Sequence, residues 1–432
     1  MEKFIERPVA HHTRFKFFYG WVIVGAAMTI LIIHAGTVYS FGVFFKPLAA
    51  EFGWGRGATS GVFATFSILQ GAFGVVLGWL TDRFGPSKVM VFCGVMAGLG
   101  LVLSGQVSTL WQLHLTYGVI ASLGLAGPFA ISVSTTARWF QKRRGLALGL
   151  VSSGIGLGTL IVVPVVERLI ASFGWSTAFI LLGSTCCAVM IGGALCLRKD
   201  PKSVGLVPYG ATVSMRAFPG DRRQAPEPVD SSADMLLAGA IRTRPLWTLL
   251  VIYFLFNFCL QMIMVHLVNY ATDLGISSLI AATFISVIGI GSISGRIVMG
   301  AFSDRIGSHN ALFICCAILA GTLILLIFSN ELWMFYLFAI VFGFAYGGEV
   351  PQMAALVGSF FGLHAVTVLV GIITMSARLG GALGSYLGGG IFDATQSYRM
   401  AFSIAALAGL IAVAASMAVR NYVGMIKNEK IR

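Results

Sequence analysis

Apolar runs of about twenty residues follow one another along almost the whole chain, interrupted by short polar stretches. Each run is long enough to cross roughly 30 Å of hydrocarbon as a helix. The pattern predicts twelve helices, at 19–45, 57–80, 88–107, 111–136, 145–168, 174–197, 246–270, 278–302, 309–328, 332–358, 365–391 and 399–420. The longest polar break, 198–245, is rich in Pro, Ser and charge (PKSVGLVPYG, then AFPGDRRQAPEPVDSSAD). It reads as a linker between two six-helix blocks, residues 1–197 and 246–432. The expected fold is therefore an all-α membrane protein of twelve transmembrane helices in two pseudo-symmetric six-helix bundles.

Composition agrees with that reading. Of 432 residues 57% are hydrophobic and 10% charged, too few polar residues to coat a soluble domain of this size. The 53 glycines suit close helix contact in lipid. All seven cysteines (Cys93, Cys186, Cys187, Cys196, Cys259, Cys315, Cys316) lie inside apolar runs without metal-site or disulfide spacing. No metal and no cofactor is expected.

The net charge of +13 would suit a nucleic-acid binder, but its placement does not. With twelve spans both termini share one face, and 23 Lys and Arg fall on that face. Four (Lys46, Arg56, Arg168, Arg399) fall on the other, and Arg296 and Arg378 lie within spans. The bias places both termini in the cytoplasm of a cell membrane, inner or plasma, with the lipid bilayer and no nucleic acid as partner. The N-terminal segment (Lys3, Arg7, Arg14, Lys16) has no small-residue cleavage site before the first span, so no cleaved signal is expected.

The octapeptide GWLTDRFG at 78–85 recurs as GAFSDRIG at 300–307, a shift of 222 residues. Each copy closes the second span of its block. Asp82 with Arg83, and Asp304 with Arg305, stand at helix ends on the cytoplasmic side, where a carboxylate can meet the positive end of a neighbouring helix. Such contacts would close that face in one state and break in the other; the plainer alternative is a topological stop signal. Two parallel six-helix halves are the major facilitator plan, with substrate held between them near the midplane.

The loop Ala137-Arg138-Trp139-Phe140-Gln141-Lys142-Arg143-Arg144-Gly145-Leu146-Ala147-Leu148-Gly149 resembles the signature of monocarboxylate transporters and their bacterial oxalate–formate antiporter relatives. Tyr19-Gly20-Trp21 is similar to the Gly-Trp element that opens the family's first helix, and Tyr39-Ser40 with Phe44-Phe45-Lys46-Pro47 resembles its end. The resemblance covers the whole chain. It implies a secondary transporter of carboxylates and no enzyme; Arg138, Arg143 and Arg144 in this loop are basic residues that the motif carboxylates could meet in gating the cytoplasmic face. It also implies that Arg296, in Ser292-Ile293-Ser294-Gly295-Arg296, binds substrate, and that Arg378 and Tyr39 face it. Animal members carry an Asp four residues before that Arg; here the place is Ser292.

The residues support much of this unaided. A guanidinium well inside an apolar helix costs at least about 2.5–3.5 kcal/mol unless it meets water, a counter-charge or a ligand. Arg296 and Arg378 thus await an anion, and a carboxylate fits the planar guanidinium fork. The alternative is a structural ion pair with Glu349. Glu349 itself is a proton-coupling candidate, as are His34 and His266. His266 and the hydroxyls of Tyr39, Tyr117 and Tyr346 are candidates for contacting the carboxylate, core packing being the alternative for each. No P-loop or catalytic triad is present, so gradients drive transport. The expectation is symport of a small monocarboxylate with a proton. A dicarboxylate exchanger of the oxalate type, using both arginines, is the alternative. A receptor built on the transporter fold would need an added signalling domain or a long tail. The sequence leaves the oligomeric state open.

Overall fold

A computed structural model describes residues 18–140, 143–210, 239–361 and 366–429. Ten helical stretches among them are long and apolar enough to span a membrane. One of these, Arg144–Cys196, breaks at Gly174 into two helices, and Val366–Thr395 adds another. The described residues thus form twelve helices of spanning length. We number them α1 (Gly20–Phe52), α2 (Arg56–Phe84), α3 (Pro86–Ser104), α4 (Leu110–Trp139), α5 (144–173) and α6 (175–196) in the first half. In the second half they are α7 (Arg244–Asp273), α8 (Ser278–Ile306), α9 (Ser308–Ile327), α10 (Leu332–Phe361), α11 (Val366–Thr395) and α12 (Arg399–Glu429). Most of the expected linker, 211–238, lies outside the described residues, as do the basic residues of 1–17 and Lys142.

Glycine sets the shortest connections. Gly85 and Gly307, the last residues of the repeated octapeptide, have φ of 88° and 84° with extended ψ, and their N–H groups close the last turns of α2 and α8 on Thr81 and Ser303. That backbone region is essentially restricted to glycine, and a side chain there costs on the order of 1–3 kcal/mol. Gly85→Ala is therefore expected to lower the midpoint of thermal unfolding in detergent; an unchanged midpoint would remove this account of why the repeat ends in Gly.

Two elements run differently from the hydropathy pattern. That pattern ends the first span at 45, before Lys46 and Pro47. Instead the helix has an irregular turn at Ser40, whose hydroxyl donates to the Gly36 carbonyl (2.7 Å), and continues to Phe52 before Gly53 at φ 68°. Within the extension Lys46 finds partners on α7, Thr272 and Asp273. The fourth span contains a π-helical stretch, His114–Ala121, inside an otherwise α-helical run. Its wider turn lets Tyr117 pack with Phe41, Phe66 and Phe179.

The residues after α6 return to the first half. The Tyr209 N–H donates to the Trp139 carbonyl (2.9 Å), the Trp139 indole donates to the Arg198 carbonyl (3.1 Å), and Phe18, Trp21 and Phe140 surround the Tyr209 ring. The start of the linker thereby braces the loop between α4 and α5.

The halves meet along α1 with α7, α2 with α11, and α5 with α8. The chain termini define one membrane face; the other, which carries Lys46, Arg56, Asp273 and Asp393, is called the far face below. The bonds between the halves described here run from the middle of the helices to the far face.

Candidate functional site

The site is built where α8 packs on α10. Gly295 fits against the backbone of Phe344 and Gly348, and Gly347 against that of Ser292, so that no side chain separates the two helices. This close approach sets the Arg296 guanidinium over the Tyr346 ring, 5.7 Å from Cζ to the centroid. Across the interface the Tyr346 hydroxyl hydrogen-bonds to the Tyr39 hydroxyl of α1 at 2.9 Å. Arg296 also reaches the first half, its Nη1 donating to the Ser152 carbonyl of α5. Its Nε and Nη2 have no hydrogen-bond partner among the described residues. Those two atoms form the side-on edge of the guanidinium, the edge that donates to both oxygens of a carboxylate.

Arg378 approaches from α11. Its main-chain carbonyl accepts from Ser67 of α2 (3.1 Å), and Gly71 leaves room for its aliphatic stem. Its guanidinium is in electrostatic reach of Tyr39, Tyr346 and His34, and makes no hydrogen bond or ion pair among the described residues. Both arginines thus act on Tyr39. Four helices from both halves (α1, α8, α10, α11) converge on two cations and a hydroxyl pair near mid-membrane.

Glu349 lies one turn beyond Tyr346 on α10, 4% exposed, with Oε1 lacking a partner among the described residues. Arg296 and Tyr253 are in its electrostatic reach, but it forms no ion pair with either arginine. The permanent pair considered as the alternative is therefore not formed in this conformation. Among the described residues Ser292, one turn before Arg296, has an unpartnered, fully buried hydroxyl, and His34 has an unpartnered Nδ1. Unmatched polar groups in a low-dielectric interior are costly. Their concentration around the two arginines marks a place that an anion or a proton would stabilise.

Two candidates lie elsewhere. Tyr117 is 1% exposed and enclosed by aromatic rings of the first half; the wide π turn directs it into that core, away from the arginines. His266 is fully buried, its Nε2–H donating to the Ser385 carbonyl (2.8 Å) and its Nδ1 bonded to the Tyr398 hydroxyl (3.2 Å). Both ring nitrogens are thus engaged in bonds within the second half, near the far face. Neither position could be separated from the others by hydropathy, since each sits in an unbroken apolar run.

On the face of the termini, Arg83 and Arg305 are exposed, Arg83 stacking near Trp79 and Phe84. Arg143 is exposed at the start of α5 with φ 60°, and Arg138 is partly buried and partnered. The side chains of Asp82, Asp304 and Arg144 lie outside the described residues. The sequence reading missed the Ser152 carbonyl as an anchor, because no side chain announces it.

A family profile, the Major Facilitator Superfamily, matches residues 27–330 and 312–429. The chain belongs to that superfamily. Among its relatives, Monocarboxylate transporter 11 of Homo sapiens is 28% identical over 402 residues, covering 89% of this chain and 79% of the relative. Monocarboxylate transporter 13 of Bos taurus is 27% identical over 390 residues, covering 90% and 86%. The solved structure of a bacterial homolog to the human lysosomal transporter Spinster, inward-facing and unoccupied, superposes with a TM-score of 0.69 at 16% identity over 94% of this chain and 98% of that one. That likeness shows the shared fold. This member of the Major Facilitator Superfamily is a membrane transporter, with its two cationic side chains at the junction of the halves.

Proposed function

We propose that this transporter carries small monocarboxylates of the lactate or pyruvate type together with a proton, by alternating access, in the inner or plasma membrane with both termini cytoplasmic. The observation that carries the reading is the unpartnered side-on edge of Arg296, held in place by the Ser152 carbonyl and the Tyr346 ring. A carboxylate seated there would find the Tyr39 and Tyr346 hydroxyls beside it. Binding would neutralise Arg296 and so lower the cost of closing the halves over it. The monocarboxylate transporters among the relatives support the substrate class. Asp82, Asp304 and the basic residues of the α4–α5 loop would hold the face of the termini shut in the alternate state.

The unpaired Arg378 favours a second reading, exchange of a dicarboxylate of the oxalate type, one carboxylate on each arginine. Uptake of labelled lactate and labelled oxalate into proteoliposomes, with and without an inward proton gradient, separates the two. Gradient-accelerated lactate uptake is the expected result. Oxalate entry only into vesicles preloaded with counter-substrate, indifferent to the gradient, would favour exchange; uptake of neither would remove the carboxylate proposal.

A further inference from the structure

Outside the central site, the largest polar assembly among the described residues joins the halves at the far face. Asp273, at the end of α7, takes two cations from the first half. Lys46 Nζ lies 2.6 Å from its Oδ1, and Arg56 sets Nη1 and Nη2 on its two oxygens at 2.7 and 3.0 Å. Lys46 also donates to Thr272 (2.6 Å). Asp393, near the end of α11, accepts from the backbone N–H groups of Arg56 and Gly57 at 2.7 and 2.6 Å, and so caps the first turn of α2 from the opposite half. The Arg56 guanidinium also stacks on Phe392 (3.6 Å) and donates to the Tyr398 hydroxyl (2.8 Å), which directs its own proton toward His266.

The assembly has an internal counterpart. The 222-residue shift that relates the two octapeptides carries position 56 onto 278, the start of α2 onto the start of α8. There the buried Glu167, of α5, is in electrostatic reach of Ser278, while Ser277 caps the helix by accepting from the Ile280 N–H. In each case a carboxylate from one half stands near the beginning of a helix in the other, where the helix dipole favours negative charge. At the α2 end the polarity is one-sided: the first half supplies cations and N–H donors, the second supplies carboxylates.

We propose that Asp273 and Asp393 form an electrostatic latch that holds the far face shut, and that its release is the step exposing the central site to that face. The latch sits where the halves must part, and among the described residues every hydrogen bond and ion pair made by the side chains of Lys46, Arg56, Asp273 and Asp393 crosses from one half to the other. Separation leaves Lys46 and Arg56 on one wall of the mouth and Asp273 and Asp393 on the other, and the loss of their pairing is the cost that opening must meet. The proposal rests on alternating access but not on any particular substrate.

Its test needs no transport assay. Ser60 is fully buried where α2 meets Gly389 of α11, one turn beneath the latch. A Ser60→Cys variant in detergent would be reacted with a bulky maleimide, with labelling of the parent chain subtracted. Adding Asp273→Asn and Asp393→Asn is expected to speed labelling at position 60 about tenfold or more, while Asp273→Glu, which keeps the charge, stays within about threefold. A monodisperse Asn pair labelling at the same rate as Ser60→Cys alone would overturn the latch. If the pair is not monodisperse, Asp393→Asn alone carries the same test, with an increase of about threefold expected and an unchanged rate again decisive against it.

Discussion

Arg296→Lys is expected to cut saturable carboxylate uptake severely, although it preserves the positive charge. Arg296 performs two tasks at once: Nη1 holds the Ser152 carbonyl of the opposite half, and Nε with Nη2 present a carboxylate-sized edge. An ammonium is a point charge on a flexible stem and cannot satisfy both. Removing one partner of a desolvated, hydrogen-bonded charge pair costs about 2–5 kcal/mol. A loss of roughly 30-fold or more in kcat/KM follows, since every 1.4 kcal/mol is tenfold. Initial rates of labelled lactate uptake by the purified Lys variant in liposomes would measure it. A variant within about threefold of the parent would mean that charge alone suffices, and the side-on fork would lose its role.

The fold was legible because hydropathy, glycine content and the repeated octapeptide are all local signals. Arg296, Arg378 and Glu349 stood out for the same reason, as charges inside apolar runs. Relations between halves were not legible. Lys46 and Arg56 counted only as loop charges, yet both reach Asp273 more than two hundred residues away. Asp393, a single charge near the end of an apolar run, caps a helix of the other half. His34 and His266 looked alike as lone histidines in apolar helices. Only their neighbours distinguish them, an unpartnered Nδ1 near Arg378 in one case and two occupied ring nitrogens in the other. Tyr117 parted from Tyr39 through a π turn that hydropathy does not register.

Glu349→Gln is expected to uncouple uptake from the proton gradient while leaving exchange intact. The Glu349 carboxylate is buried, unpartnered and in electrostatic reach of Arg296 without touching it. When ionised it offsets the attraction of Arg296 for a second carboxylate; when protonated it leaves Arg296 free for the substrate. Acidity outside would thus favour loading, and release of the proton inside would favour unloading. The glutamine keeps the shape and fixes the site in the state that the protonated acid produces. Three results follow together. KM for lactate at neutral pH falls, the ratio of uptake with and without the gradient drops to about one, and counterflow between loaded vesicles stays within about threefold of the parent. Counterflow needs only the loaded carrier to reorient, so it separates lost coupling from lost folding. If the Gln variant keeps the parent's gradient dependence and the pH dependence of its KM, Glu349 is not the proton carrier. His34, the other unpartnered titratable group beside the arginines, would then be the next side chain to replace.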